Sequence, residues 1–335
     1  MTITYRSYKE IDVSQWNELV QKSDTATWFQ TPEAYTFYSQ LPNEMQPFVF
    51  GVSENGLLAG IVVSYITQEQ NAIKQFFTRR AIIIGGPLLD DAISSEALSA
   101  LLQTVRSELS KQAIYIETRN FNDYSRWKDI FRAQGFAYQP HLNFHIDTSS
   151  LETAQANIGK HRWKYIRLSI RDGATMVENP TIEQIREYYS VLSELYHDKV
   201  KTPLFSIEFF EKLYQMPNAK FLLVAFEGKI IGGTICVSLP DKALYEWFVC
   251  GNDNYHKGIR PSSVATWYGM EYAATHNYPR FDLMGAGVPD KPYGVRDFKA
   301  EFGGKLVEHG RFLCVLKPWL YKCGVLGVKI LKMRK

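Results

Sequence analysis

Two stretches of the chain carry the same run of apolar and polar positions. Residues 48–66 read FVFGVSENGLLAGIVVSYI and residues 221–239 read FLLVAFEGKIIGGTICVSL. Each is an apolar segment, a short polar interruption and a second apolar segment rich in β-branched residues, the pattern of a hairpin. Aligned without a gap, Glu54 falls opposite Glu227, Leu57-Leu58 opposite Ile230-Ile231 and Gly60 opposite Gly233. Asn55-Gly56 and Gly228-Lys229 then supply the positive-φ residues that a two-residue turn requires. The flanks repeat as well. A helix preceded or led by proline comes before each hairpin, at 32–41 and at 207–214 after Pro203. Strand, helix and strand follow each one, at 81–84, 94–110 and 114–118 in the first half and at 243–249, 262–275 and 280–284 in the second. Two copies of this order predict an α/β fold, α+β in having mixed strand direction, built by duplication. The period is too long for a solenoid.

A strand at 142–147 is expected to close the first half. The division then falls near Ser149-Ser150, giving a first domain 1–150, a second domain 151–317 and a basic tail 318–335. Helices are expected at 154–172 and 181–196, and a last strand at 306–316. A length of 335 residues with 45% hydrophobic side chains suffices for two cores. Four cysteines without a C-x-x-C pair and seven scattered histidines predict neither a disulfide framework nor a metal site. The N-terminus lacks the basic-then-apolar order of a signal peptide, and no apolar run reaches the ~18 residues of a spanning helix. The expected location is the cytoplasm. A net charge of +3 excludes a protein that coats nucleic acid, but it averages over local features.

Four segments carry candidate chemistry. Lys160, Lys164, Arg167 and Arg171 stand at i, i+4, i+7 and i+11, one stripe of a helix. Their repulsion, a few tenths of a kcal/mol per pair, is either offset by an anion (phosphate, pyrophosphate or tRNA) or relieved in a solvated face. The loop His256-Lys257-Gly258-Ile259-Arg260 opens a helix, so it is either an anion cradle of backbone N–H groups or a surface turn. Residues 293–304 combine Tyr293, Phe298, Phe302 and Lys299 with Gly303-Gly304, in a site or in plain packing. The tail mixes Trp319, Leu320, Leu326, Ile330 and Leu331 with five cations. It either docks on the second domain or rests on the anionic inner face of a membrane, each cation contributing about 1 kcal/mol.

The run Gly294-x-x-x-Phe298-Lys299-x-x-Phe302-Gly303-Gly304 resembles the FK-x-x-FGG signature of Fem-type peptidyltransferases, which add amino acids from aminoacyl-tRNA to peptidoglycan precursors. Phe29-Gln-Thr-Pro-Glu33, the basic helix 160–173, and Tyr188-Tyr-x-x-Leu192 with Pro203 and Phe209-Phe210 extend the similarity over nearly the whole chain. The resemblance implies two tandem GNAT-like (acyl-CoA N-acyltransferase-like) domains. It implies no permanently bound cofactor, an aminoacyl-tRNA or acyl-CoA donor, and a peptidoglycan precursor or another amine as acceptor. Lys299 matches the motif lysine of the acyl-transfer site, and Tyr245 and Trp247 match a pair of site aromatics. The basic helix matches the segment that faces phosphates and nucleic acid. His256, Lys257, Gly258 and Arg260 match only loosely, with a single glycine, the loop that holds pyrophosphate in acyl-CoA enzymes. There are departures: the coiled-coil arm of some staphylococcal members is absent, and the GPV-like segment appears as Gly85-Gly-Pro-Leu88. Glu117 stands for an acid of the first domain.

Amide formation needs a neutral acceptor amine, and a lysine-like amine has a reference pKa of ~10.4. On this reading Lys299 stabilises developing charge, Tyr245 and Trp247 orient the substrate, and Glu117 or Asp282 handles the proton. Asp282 equally fits a structural pair within the sheet. Two other readings stand beside aminoacyl transfer: acyl-CoA-dependent N-acyltransfer to a sugar amine or other small amine, and a non-catalytic anion-binding module.

Overall fold

The computed structural model describes residues 2–69 and 72–333. It divides into two units, Met1–His141 with His309–Lys335, and Leu142–Glu308. The sheet of the first runs, edge to edge, Ile3–Ser7, Met45–Glu54, Leu57–Thr67, Ala81–Gly85, Tyr115–Asn120, Arg311–Val315 and Ala137–Gln139. That of the second runs Thr175–Val177, Ala219–Phe226, Lys229–Leu239, Ala243–Gly251, Arg280–Asp282, Leu142–Asp147 and Lys305–Glu308. The order is the same, and in both sheets the fourth and fifth strands form the parallel pair. The duplication in the sequence is thus a duplication of topology.

The sixth strand of each sheet departs from expectation. Leu142–Asp147 belongs to the second sheet, not the first, so the division falls at His141 rather than near residue 150. The strand expected at 306–316 is two strands, Lys305–Glu308 in the second sheet and Arg311–Val315 in the first. Gly310, with φ +64°, breaks it, and a Cβ there would overlap the Tyr138 ring. The two pieces differ in burial, Lys305–Glu308 being largely exposed and Arg311–Val315 largely buried, and apart from Gly310 nothing in the run LVEHGRFLCVL marks the change of sheet. The tail, folded as the helix Pro318–Met333, therefore falls in the first unit rather than docking on the second.

The hairpins form as expected, with one correction. In the second hairpin the positive-φ pair is Glu227 (49°) and Gly228 (78°), matching Asn55 (51°) and Gly56 (87°) in the first. The true equivalence is one residue away from the gapless alignment. Each second strand has a bulge four residues beyond the first turn residue, opposite Val52/Ser53 and Val224/Ala225. A one-residue slip moves side chains to the other sheet face, so this offset matters for any equivalence between halves.

The helix Ser95–Ser110 buries Leu98, Leu101, Leu102, Val105 and Leu109 on its sheet, each worth roughly 1.5–3 kcal/mol of transfer free energy. Its start is capped by Ser94. Its counterpart Pro261–Thr275 is buried nearly all round. The single helix expected at 154–172 is two, Leu151–Ala156 and Lys160–Arg171. The break at Asn157-Ile158-Gly159 seats residues of the FK-x-x-FGG run: the Gly159 N–H donates to the Glu301 carbonyl at 2.9 Å, and a Cβ on Gly303 would sit 2.5 Å from the Asn157 carbonyl oxygen.

Candidate functional site

In the second unit, Ala243–Gly251 and Arg280–Asp282 pair only at Leu244–Phe281 and Tyr245–Asp282. From Glu246 onward the longer strand keeps its partner on the other side alone. The corresponding pair in the first unit stays together over five residues, Ala81–Gly85 against Ile116–Asn120. Beyond it the chain covers its own carbonyls. Tyr124 Oη donates toward Gly85 and Pro87 at 2.9 and 2.6 Å, and Gln30 Nε2 to Gly86 at 2.7 Å. The opened strand pair is a feature of the second unit.

Lys299, on the helix Gly294–Ala300, reaches into this opening. Its Nζ donates to the carbonyls of Leu283, Met284 and Gly285 at 2.5, 2.6 and 2.9 Å. An ammonium has three N–H donors, and here three consecutive carbonyls take them. Met284 and Gly285 hold φ of +47° and +63°, the turn that follows the strand. Arg296, one turn earlier on the same helix, donates to the carbonyls of Ala286, Val288, Pro289 and Lys291. The motif helix is thus a clamp on the loop 283–291. Burial lowers the pKa of Lys299, against the pull of Glu246 and Asp282.

Glu246 was not singled out from the sequence. It follows the last parallel pair, is 4% exposed, and accepts from Thr234 Oγ1 at 3.4 Å. Burial pushes its carboxyl up to about 7, and Lys299, Thr266 and Thr234 oppose the rise. A bulge sets Trp247 between two successive register pairs, Cys236 facing Glu246 and Ile235 facing Phe248. The signal available in the sequence was an acid inside an otherwise apolar strand, ALYEWFVCG.

The predicted residues divide. Tyr245 is fully buried and its Oη accepts from Arg280 Nη2 at 3.3 Å; burial pushes it up to about 12. Trp247 is half-buried, 5.3 Å from the Phe209 ring. Tyr293 is exposed and lies over Gly287, where a Cβ would meet its ring at 2.8 Å. Phe298 packs on Phe302 at 5.2 Å beneath the Arg162 guanidinium, 4.5 Å from the ring. Arg162 also donates to Ser263 Oγ at 2.5 Å and pairs with Glu301 at 3.1 Å. It lies off the predicted stripe and was missed for that reason.

Asp282 does not fit proton transfer. Its Oδ1 accepts from Asn143 Nδ2 at 2.7 Å and the Met284 N–H at 2.9 Å, and His145 Nε2 is 3.2 Å from Oδ2. Burial would raise its pKa, but His145, Arg280 and Asn143 hold it below the usual carboxylate range. Glu117 fails in the same way within the first unit. Arg119 and Arg311 donate to its Oε1 at 2.7 and 3.1 Å, overcoming burial and holding it below the usual range. A carboxylate bound by two guanidinium groups is a weak base.

Lys160, Lys164, Arg167 and Arg171 are all exposed on the helix Lys160–Arg171, so that stripe forms. Arg171 is paired with Asp172 at 2.7 Å. The loop carrying His256, Lys257, Gly258 and Arg260 is closed from within. Asp253 accepts from the Ser262 N–H at 3.1 Å and from Ser262 Oγ at 2.5 Å, at the start of Pro261–Thr275. Arg260 donates to the carbonyls of Asp253 and Ile259. A Cβ on Gly251 would overlap the Ser262 nitrogen, so the loop lies against the helix start. His256 packs on the Phe226 ring at 5.0 Å, and Lys257 and Gly258 are exposed.

The model of the FemAB family matches residues 227–326, which contain Glu246, Asp282, Lys299 and the Gly303-Gly304 end. The solved structure of FemX superposes over 96% of this chain and 99% of its own, with a TM-score of 0.72 at 14% identity. The fold is of the Fem type. A tandem GNAT protein from the clavulanic acid biosynthesis pathway shares it, with a TM-score of 0.62 at 11% identity over 94% of this chain and 99% of that one. So does the C-terminal domain of a putative lysylphosphatidylglycerol synthetase from Agrobacterium fabrum, with a TM-score of 0.57 at 14% identity and 95% of each chain covered. These likenesses bear out the expected pair of GNAT-like domains. Among curated proteins none matches the chain in sequence.

Proposed function

We propose that this Fem-type chain is an amide-forming acyltransferase that passes an amino acid from aminoacyl-tRNA to the amine of a peptidoglycan precursor. The observation that carries this reading is the FK-x-x-FGG helix seated at the opened strand pair, where Lys299 donates to the loop that follows one strand and acts electrostatically on Glu246, buried in the other. An amine of pKa ~10.4 must lose a proton to attack an ester. Glu246, poised near 7, takes it, directly or through one water. The new N–C bond forms as the ester C–O bond breaks, and the proton passes on to the departing ribose hydroxyl. The fixed positive charge of Lys299 stabilises the negative charge that develops at the carbonyl, and needs no reorganisation during the step. Lys160, Lys164 and Arg167 meet donor phosphates. A charged-tRNA donor implies a cytoplasmic reaction.

Acyl-CoA is the weaker donor on one observation. A pyrophosphate needs the N–H groups and positive dipole end of Pro261–Thr275, and there the Ser262 N–H already donates to the Asp253 carboxylate and the Ser263 N–H to the Arg260 carbonyl. The test is transfer of a labelled amino acid from a charged tRNA pool to a peptidoglycan precursor. Label should reach the precursor, and ribonuclease treatment of the pool should abolish it; label transfer indifferent to ribonuclease contradicts the reading.

A further inference from the structure

The first unit carries an apolar surface that amide transfer does not use. Two helices make it, Ala72–Thr78 and Pro318–Met333, which approach where a Cβ on Gly324 would lie 3.8 Å from the Phe77 carbonyl oxygen. Four large apolar side chains on it are open to solvent. Phe76 and Phe77 are 45% and 44% exposed, Trp319 72% and Leu326 59%. The inner faces are firmly attached: Gln75 Nε2 donates to the Thr67 carbonyl at 3.1 Å, Leu320 is buried, and the Tyr321 ring lies 5.3 Å from that of Tyr115. A surface helix ordinarily turns its charged side outward and its apolar side in. Here anchored helices present aromatic and aliphatic groups to solvent, in a patch of the kind that marks an interaction site.

Charge selects the partner. Residues 318–335 contain five cations and no acid, and residues 70–80 contain Lys74, Arg79 and Arg80 and no acid. Lys322 is exposed beside Trp319 and Leu326, and the Arg79 guanidinium stands 5.0 Å over the Phe76 ring. The side chains of Ile330 and Leu331 lie outside the described residues. Two copies of such a face would set cations against cations, which works against self-association. Among the described residues no helix is long and apolar enough to cross a membrane. Exposed aromatic groups among cations are the composition of a segment that lies in the headgroup layer.

We propose that the helices Ala72–Thr78 and Pro318–Met333 together form a docking face for an anionic lipid bilayer, with Phe76, Phe77, Trp319 and Leu326 entering the headgroup boundary. The inference goes beyond the transfer reaction and does not depend on it. The test is flotation of the full chain with vesicles of phosphatidylcholine alone or mixed equally with phosphatidylglycerol. Binding should appear with the anionic vesicles and be nearly absent with phosphatidylcholine. Lys322→Glu should weaken it by about fivefold or more, and Phe76→Glu with Trp319→Glu by more than tenfold; Trp319→Glu alone, at a side chain 72% exposed, should weaken it with thermal unfolding unchanged. The proposal is overturned if the wild type fails to float with anionic vesicles, or if the double variant floats equally well. It is also overturned if sedimentation shows a dimer that the same substitutions dissolve while vesicles remain unbound.

Discussion

Replacing Lys299 with methionine keeps the length of the side chain and removes the ammonium. In the folded protein that leaves the carbonyls of Leu283, Met284 and Gly285 without their shared donor, in a position only 7% exposed. It also strips Glu246 of the charge that opposes its burial. Hydrogen bonds to a charged group contribute about 1.5–3 kcal/mol each, and three of them share this one ammonium. These overlap, so we expect roughly 4 kcal/mol of destabilisation. For a unit of this size each kcal/mol moves Tm by about 2–4 °C, so the second unit's transition should fall by roughly 8–16 °C in calorimetry. A second readout separates charge from simple damage. Lys299 holds the Glu246 carboxyl down, so in Lys299→Met that group should titrate above about 7, carrying any pH-dependent limb of activity upward. If Tm falls by less than about 2 °C, or the titration of Glu246 does not rise, Lys299 is neither the clamp nor the counter-charge.

Glu246→Gln should remove the rise of activity with pH that centres near 7, and it should change stability with a definite sign. The folded carboxyl binds its proton more tightly than the unfolded one, so wild-type stability falls as pH climbs from about 4.5 to about 7 and then levels. Urea unfolding across that range should show the slope in wild type and lose it in the variant. Gly251→Ala forces a Cβ onto the Ser262 nitrogen and should cost at least ~2 kcal/mol by thermal unfolding. Titration of the wild type with acetyl-CoA should release no heat, since the Ser262 N–H at the helix start already donates to Asp253. Lys164→Glu with Arg167→Glu, both exposed, should leave stability within ~0.5 kcal/mol. The same pair should lower tRNA affinity and reduce its salt slope by about two.

The repeated hairpins were plain in the sequence because buried strands need long apolar runs, and the turns need residues that tolerate positive φ. The one-residue offset between them was not plain. Glu227 adopts φ +49° where glycine and asparagine were the visible signals, and bulges leave no trace in an apolar run. Strand order was hidden for a related reason: Arg311–Val315 is equally apolar in either sheet, and only Gly310 marks the change. At the site, the motif drew attention to Lys299 but not to its three carbonyl partners, which come from a loop 14–16 residues earlier. Glu246 was passed over because an acid between Tyr245 and Trp247 looks like an outward-facing position. A buried setting beside a counter-charge is a property of the folded sheet. Asp282 and Glu117 were legible as acids in strands, and what they lacked was visible only through the partners that hold them ionised.

The reading proposed for this chain is that it takes an aminoacyl ester and not an acyl thioester. A single-turnover comparison of the two donors on one peptidoglycan-precursor peptide, read by mass spectrometry, tests it most directly. The account predicts an aminoacylated peptide from charged tRNA, lost in Glu246→Gln, and no acetylated peptide from acetyl-CoA. An acetylated product formed as readily as the aminoacylated one, or formed alone, would contradict it.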